Sequence, residues 1–437
     1  MSGPKVVRIV TREEILEICR GHLARVDAAL EQWARIGQRN DCIDDDAIAA
    51  AQRRRGALAA LIAQDRFGEL QKQAPIEEAF LRDDLQRRLA EVAAQQAAAR
   101  SKERREHEAA QALLKALRQK SEPLDPELEA GLERGDPAAT AKGLLLLGGN
   151  EPGMTDTSLA AKLRDDRPPV SFAEWLLAQP MPPEDPAVDR IATRITEIAQ
   201  IADLDNVTGW RTRLAEAEDA PANRRHLILD ALEVETGRVL TSARQRAAAL
   251  SQLIVTLAEA EAAGLDTATW REALDGAATD EIEARQAEAA SAINAHREAK
   301  AVQARRAAVL EGLSGLGYEV AEGMTTIWAS DGRLVLRSAA RPDYGVELSG
   351  ADRFQMRPVA FDMNGKGPDP SRDRDAETIW CGDVTNLEKQ LAQLGDGLQI
   401  EKALPVGAVP LKRIAIDGPD GGAGAEVPVL RERTLRR

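Results

Sequence analysis

From Ile76 to Lys120 the chain contains neither proline nor glycine, and Phe80, Leu81, Leu85, Leu89, Val92, Leu113, Leu114 and Leu117 keep to helical intervals along it. At ~1.5 Å per residue such a helix extends on the order of 65 Å, longer than one small domain needs. Its middle, AAARSKERREHEAAQ, is almost wholly polar. That stretch is expected to project into solvent or to meet another chain through charged side chains. A chain organised around such a rod is mainly α.

The segments on either side extend this reading. Thr11 and Glu14 have the spacing of a capping box, which predicts a helix from there to about Gln38. Leu16, Leu23 and Leu30 recur every seventh residue, with Cys19, Val26 and Trp33 between them, the stripe of a coiled coil. Asn40 to Asp46, NDCIDDD, supplies caps for a second helix carrying Ile48, Leu58, Leu61, Ile62, Phe67 and Leu70. Two apolar-striped helices joined by a short acidic linker predict an antiparallel hairpin, with Pro75 restarting the chain as the long helix. The carboxylates Asp41, Asp44, Asp45 and Asp46 are read as helix-start residues facing the positive end of the dipole rather than as cation ligands.

Prolines and glycines become frequent from Ser121 to Pro186, which predicts a hinge or a small irregular subdomain. Within it, "GLLLLGGNEPGMT" has the outline of a phosphate-binding loop: Gly148, Gly153 and Thr155 occupy pattern positions. Met154 stands where the phosphate-binding lysine belongs. The better reading caps a helix PAATAKGLLLL with Asp136, starts it at Pro137 and stops it at Gly148. Ser171 to Gln179, SFAEWLLAQ, is expected as one further short helix.

Helical spacing returns at Ile191, Ile195, Ile198 and Ile201, and again at Leu250, Leu253, Ile254 and Leu257, predicting a second bundle that ends with a coiled-coil-like helix over about 279–313. After Leu313 the period changes. GYEV, TTIWAS, RLVLRS, YGVELS and FQMRPVAF are short runs that predict a strand meander, with Asp331-Gly332 as a hairpin turn. Asp383 is expected to cap a helix running to Leu394 and stopped by Gly395. The expected fold is therefore mainly α, a coiled-coil hairpin and helical bundle followed by a small α+β C-terminal domain. Its divisions fall at 1–120, 121–185, 186–313, 314–416 and a Gly-rich, then basic, tail over 417–437.

Candidate chemistry concentrates in the C-terminal part. DMNGKGPDPSRD, Asp362 to Asp373, partly fits a calcium loop, but Lys366 stands where an oxygen ligand is needed. A plain surface loop is the expectation there. In an extended segment Asp373, Asp375 and Glu377 would line one side and could hold a divalent metal. Asp343 and Glu347 of PDYGVEL resemble the acidic pair of a metal-dependent nuclease, although Ser349 occupies the place of its lysine. Cys381, in IWCGD just before the expected helix start, is a possible thiol nucleophile. A base is needed close by, and none of the four histidines, His22, His107, His226 and His296, lies beyond residue 313.

Composition bounds the partners. A net charge of -14 argues against nucleic acid and anionic membranes. No run reaches the roughly 18 apolar residues of a membrane span, and the N-terminus lacks a signal-peptide core. Three cysteines spread over the chain without a CxxC pair suit a reducing cytoplasm. The function expected from these features is a non-catalytic coiled-coil scaffold or adaptor of a cytoplasmic multiprotein assembly. Its partners are proteins or further copies of itself, it carries no cofactor, and the C-terminal domain acts as a docking module. The alternative is an enzyme with a metal-dependent or thiol site in that domain.

Overall fold

The computed structural model describes residues 4–119, 124–148, 186–202, 206–351, 353–362 and 369–415. The phosphate-loop window after Gly148, the helix expected at Ser171 to Gln179, the centre of the calcium-like loop and the tail from 417 lie outside the described residues. The rest is mainly helical with one small sheet. The chain divides into two compact units, one of Met1–Leu30, Ala50–Ala79 and Gln252–Arg437, the other of Glu31–Ala49 and Phe80–Ser251.

Helix α1 spans Arg12–Arg39, and Thr11 Oγ1 accepts the Glu14 N–H at its start. Helix α2 (Asp45–Ala63) is capped by Asp44, whose Oδ1 accepts from Ala47 N at 2.8 Å. Both helices end on an aspartate in the left-handed region, Asp41 with φ 53° and Asp65 with φ 55°. The acidic linker is thus a helix stop followed by a helix cap. In the first unit Cys19, Leu23 and Val26 of α1 form a buried cluster with Leu58 and Leu61 of α2 and with Leu70 and Ala74 of helix α3 (Phe67–Gln119).

Helix α3 runs over Phe67–Gln119, so it begins earlier than expected and Pro75 lies inside it. Leu70, Ala74 and Leu81 are buried on either side of the proline, and their packing outweighs the local break. The polar middle of α3 also departs from expectation, because it docks within the second unit. Arg100 donates to Thr196 at 2.8 Å, and Arg104 reaches Glu218 at 2.9 Å and Asp189 at 3.3 Å. Small buried residues, Ala93, Ala97 and Ser101, line that face.

Two hydrophobic clusters are found among the described residues of the second unit. Leu113, Leu114 and Leu117 of α3 pack with Leu128 and Leu132 of α4 (Pro126–Glu133) and Ala139 of α5 (Pro137–Gly148). Helix α5 starts as expected, with Asp136 Oδ1 accepting from Ala138 N at 2.9 Å and Pro137 in the first turn, and it is described as far as Gly148. Helices α6 (Pro186–Ile201), α7 (Asn206–Asp219) and α8 (Ala222–Ala262) share a core of Ile191, Ile195, Ile198, Trp210 and Leu232. Short α9 (Ala268–Arg271) follows, and α10 (Thr279–Gly315) leads to the sheet in the first unit.

The sheet has the order β2-β3-β4-β1-β5, with β6 paired to β4. Its strands are β1 (Lys5–Val10), β2 (Arg333–Ser338), β3 (Arg341–Ser349), β4 (Arg353–Asp362), β5 (Gly397–Ala403) and β6 (Lys412–Ala415). All pairings are antiparallel except β4 with β6. Strand β1 was not expected at all. Its burial alternates, with Lys5, Val7 and Ile9 inward, and it lies between β4 and β5.

Two further expectations are corrected. TTIWAS is helix α11 (Met324–Asp331), bounded by left-handed Gly323 and Gly332, so Asp331-Gly332 is a helix stop and not a hairpin turn. Trp328, at 0% exposed, anchors that helix on the sheet against Phe354, and this burial decides the conformation of a run that local propensity leaves open. The last helix, α12 (Pro370–Leu394), begins well before Asp383, because Asp369 Oδ1 accepts from Ser371 N and Arg372 N and Pro370 takes the first helical position. It ends at left-handed Gly395 as expected.

Candidate functional site

One face of the sheet, with Val7, Ile9, Leu336, Val346, Leu348, Phe354 and Met356, packs against Val309 and Leu313 of α10 and Trp380, Val384, Leu387 and Leu391 of α12. The opposite face carries a smaller cluster of Val359, Phe361 and Ile414. Of the C-terminal candidates, Asp343 and Glu347 sit on β3, and Asp373, Asp375, Glu377 and Cys381 on α12.

Glu347 lies on the opposite face, since Val346 and Leu348 beside it point to the main core. It is only 5% exposed. Arg357, its direct partner across β4, bonds to it, and Lys412 Nζ donates to it at 2.9 Å. Burial pushes the Glu347 carboxyl up, but the two cationic donors outweigh this and hold it below the usual glutamate range. Asp343 meets a different cation, Arg372 at 3.6 Å. The structure thus gives the two carboxylates separate partners.

The segment 373–377 is helix, not extended chain, so its carboxylates diverge. Asp373 accepts from the Tyr344 hydroxyl at 3.0 Å and from Arg413 at 2.6 Å. Burial and this bond to Asp373 push the Tyr344 phenol up. Glu377, one turn on and 2% exposed, accepts the Gly407 N–H at 2.5 Å. Asp375 is exposed on another face of the helix. Among the described residues no group of three or more His, Cys, Asp or Glu side chains is placed to hold a metal ion. A groove of about 390 Å³ between α1 and α10 is lined by Glu13, Glu14, Glu17, Arg297, Glu298 and Lys300. Most of its charges are paired, Glu14 and Glu298 with Arg305, Glu17 with Lys300 and Arg297 with Glu259.

Cys381 is in the interior of α12, so no helix N-terminus acts on it. What it meets is Lys5, which the sequence reading did not single out. Lys5 Nζ lies 3.6 Å from Cys381 Sγ, and Lys5 is only 2% exposed. The lysine points inward because it shares the period-2 face of β1 with Val7 and Ile9. Neighbouring Trp380 is buried edge-on to Tyr318, with ring centroids 6.1 Å apart, and Tyr318 donates to Asp383 at 2.8 Å. Burial and the adjacent Asp383 carboxylate push the Tyr318 phenol far above the ordinary range. These contacts fix α12 and hold Cys381 against β1. Elsewhere in the chain, burial pushes the Cys19 and Cys42 thiols up. The signal that could have revealed the pair is KVVRIV, whose alternating β-branched residues fit a strand.

Comparison with family models, with characterised proteins and with solved structures gives no match for this chain. No described helix is long and apolar enough to cross a membrane.

Proposed function

We propose that the chain is a non-catalytic scaffold or adaptor of a multiprotein assembly, which binds partner proteins or further copies of itself through its long helices. The observation that carries this reading is on α8. Leu227 and Val234, seven residues apart, are 70% and 53% exposed. Val234 borders a shallow groove of about 530 Å³, lined also by Arg194 of α6 and Gly237 and Thr241 of α8. Two large apolar side chains one heptad apart on a helix provide the start of a seam for another helix. The α+β region serves as the docking module, and the spacing of the three cysteines favours a cytoplasmic setting.

Light scattering on the purified chain tests this reading. An oligomer, or a stable complex recovered from the native host, is expected, and Leu227→Glu with Val234→Glu should disperse it. A monomer that turns over a substrate without partners would overturn it. The alternative of an enzyme in the C-terminal region has one observation in its favour, the contact of Lys5 with Cys381. Its metal-dependent form is less well supported, since Glu347, Asp343, Asp373 and Glu377 each have structural partners.

A further inference from the structure

We infer that Lys5 and Cys381 form a reactive amine–thiol pair, and that Cys381 is a site of covalent modification by a small oxidant of the peroxide class. Three observations support this independently of the scaffold reading. Lys5 is buried, and among the described residues the one hydrogen-bond partner of its side-chain amine is Cys381 Sγ at 3.6 Å. It also forms no ion pair with a described carboxylate, and its amine is shielded from water. Cys381 itself is partly exposed, whereas Lys5 is shielded.

An ammonium taken out of water is costly unless an anion pairs with it. Here the group in reach that can become that anion is the thiol. Transfer of its proton to Nζ leaves a thiolate beside an ammonium, and the thiolate is the nucleophilic form of cysteine. Because Lys5 arrives from the opposite end of the sequence, the pair supplies the base that no histidine of the C-terminal part could provide.

The reaction closes on these two groups and one molecule of hydrogen peroxide. The thiolate sulfur attacks one peroxide oxygen, a sulfur–oxygen bond forms and the oxygen–oxygen bond breaks. Sulfur is oxidised by two electrons and the peroxide is reduced. The departing hydroxide takes a proton from the Lys5 ammonium and leaves as water. The products are a sulfenic acid at Cys381, a neutral amine at Lys5 and water, the first and reversible step of cysteine oxidation.

The test treats the full chain with hydrogen peroxide in the presence of dimedone, which traps sulfenic acids, and reads the adduct at each cysteine by peptide mass spectrometry. Cys381 should label about tenfold faster than partly exposed Cys42, and Lys5→Met should remove about that factor at Cys381 while leaving Cys42 unchanged. Equal rates at the two cysteines of the native chain, or an unchanged Cys381 rate in Lys5→Met, would overturn the assignment. If Lys5→Met melts at a clearly lower temperature, the native chain in urea replaces it. The advantage of Cys381 should then vanish on unfolding, and its persistence in urea would show that Lys5 does not cause it.

Discussion

At the scale of single residues, the buried carboxylates organise their surroundings. Glu347 is held below the usual glutamate range because Arg357 and Lys412 outweigh its burial. Its ionised form is therefore favoured by the fold: the contribution is complete above the unfolded-state value and is lost as pH falls through the lower folded value. Glu347→Gln should cost roughly 2 kcal/mol near neutral pH, discounted because Arg357 is partly exposed. Urea unfolding at pH 7 and pH 3 checks this, with the cost expected to shrink at the acid end; an equal cost at both would remove the ion pair as its cause. A second pair of substitutions separates buried from exposed charge. Asp84, 7% exposed, accepts from Trp33 Nε1 at 3.0 Å and Arg88 Nε at 2.7 Å, whereas neighbouring Asp83 has its side chain 69% exposed. Asp84→Ala should cost roughly 2–3 kcal/mol in thermal or urea unfolding, and Asp83→Ala less than about 0.5 kcal/mol.

At the scale of elements, what sequence reading found and missed follows from where the structural information resides. Elements that carry their own boundary signals were legible: the start of α5 from Asp136 and Pro137, the end of α12 from Gly395, the start of α1 from Thr11 and Glu14. Asp369-Pro370 is the same signal as Asp136-Pro137, and it was hidden inside a loop-like run of Gly, Pro and Asp. The helix containing Trp328 was missed for a different reason, since its alternating residues suit a strand and only burial against Phe354 decides otherwise. Of the candidate site, Cys381 was visible and Lys5 was not, because pairing across the sheet is a tertiary fact. Two glycines test the element-level account with opposite signs. Gly382 is exposed inside α12 with open space around it, so Gly382→Ala should stabilise by about 0.5–1 kcal/mol through helix propensity. A Cβ at Gly345 would run into the Leu336 carbonyl oxygen across the β2–β3 ladder, so Gly345→Ala should destabilise by roughly 2–3 kcal/mol. Denaturant midpoints at constant slope measure both.

At the scale of the whole molecule, the sheet joins the two ends of the described chain. The polypeptide leaves the sheet at Val10 and re-enters it at Arg333, yet β1 is an interior strand, bonded to β4 on one side and β5 on the other. The entropy of closing such a long loop grows only slowly with its length, so the arrangement is affordable at equilibrium, although pairings so distant in sequence form late. The consequence is asymmetric. Removing residues 1–10 from the full chain withdraws Val7 and Ile9 from the main core and leaves β5 without its partner strand. Amides of β5 and of Arg353 to Met356 in β4 should then lose hydrogen-exchange protection. The α6–α8 amides around Ile191, Ile195 and Leu232 belong to a separate core and should keep theirs. The same deletion removes Lys5, so Cys381 should also lose its rapid reaction with peroxide. A truncated chain whose β5 stays protected would show that the sheet does not depend on β1. If β5 is lost while Cys381 still reacts as in the intact chain, the fold account stands and the amine is excluded as the source of its reactivity.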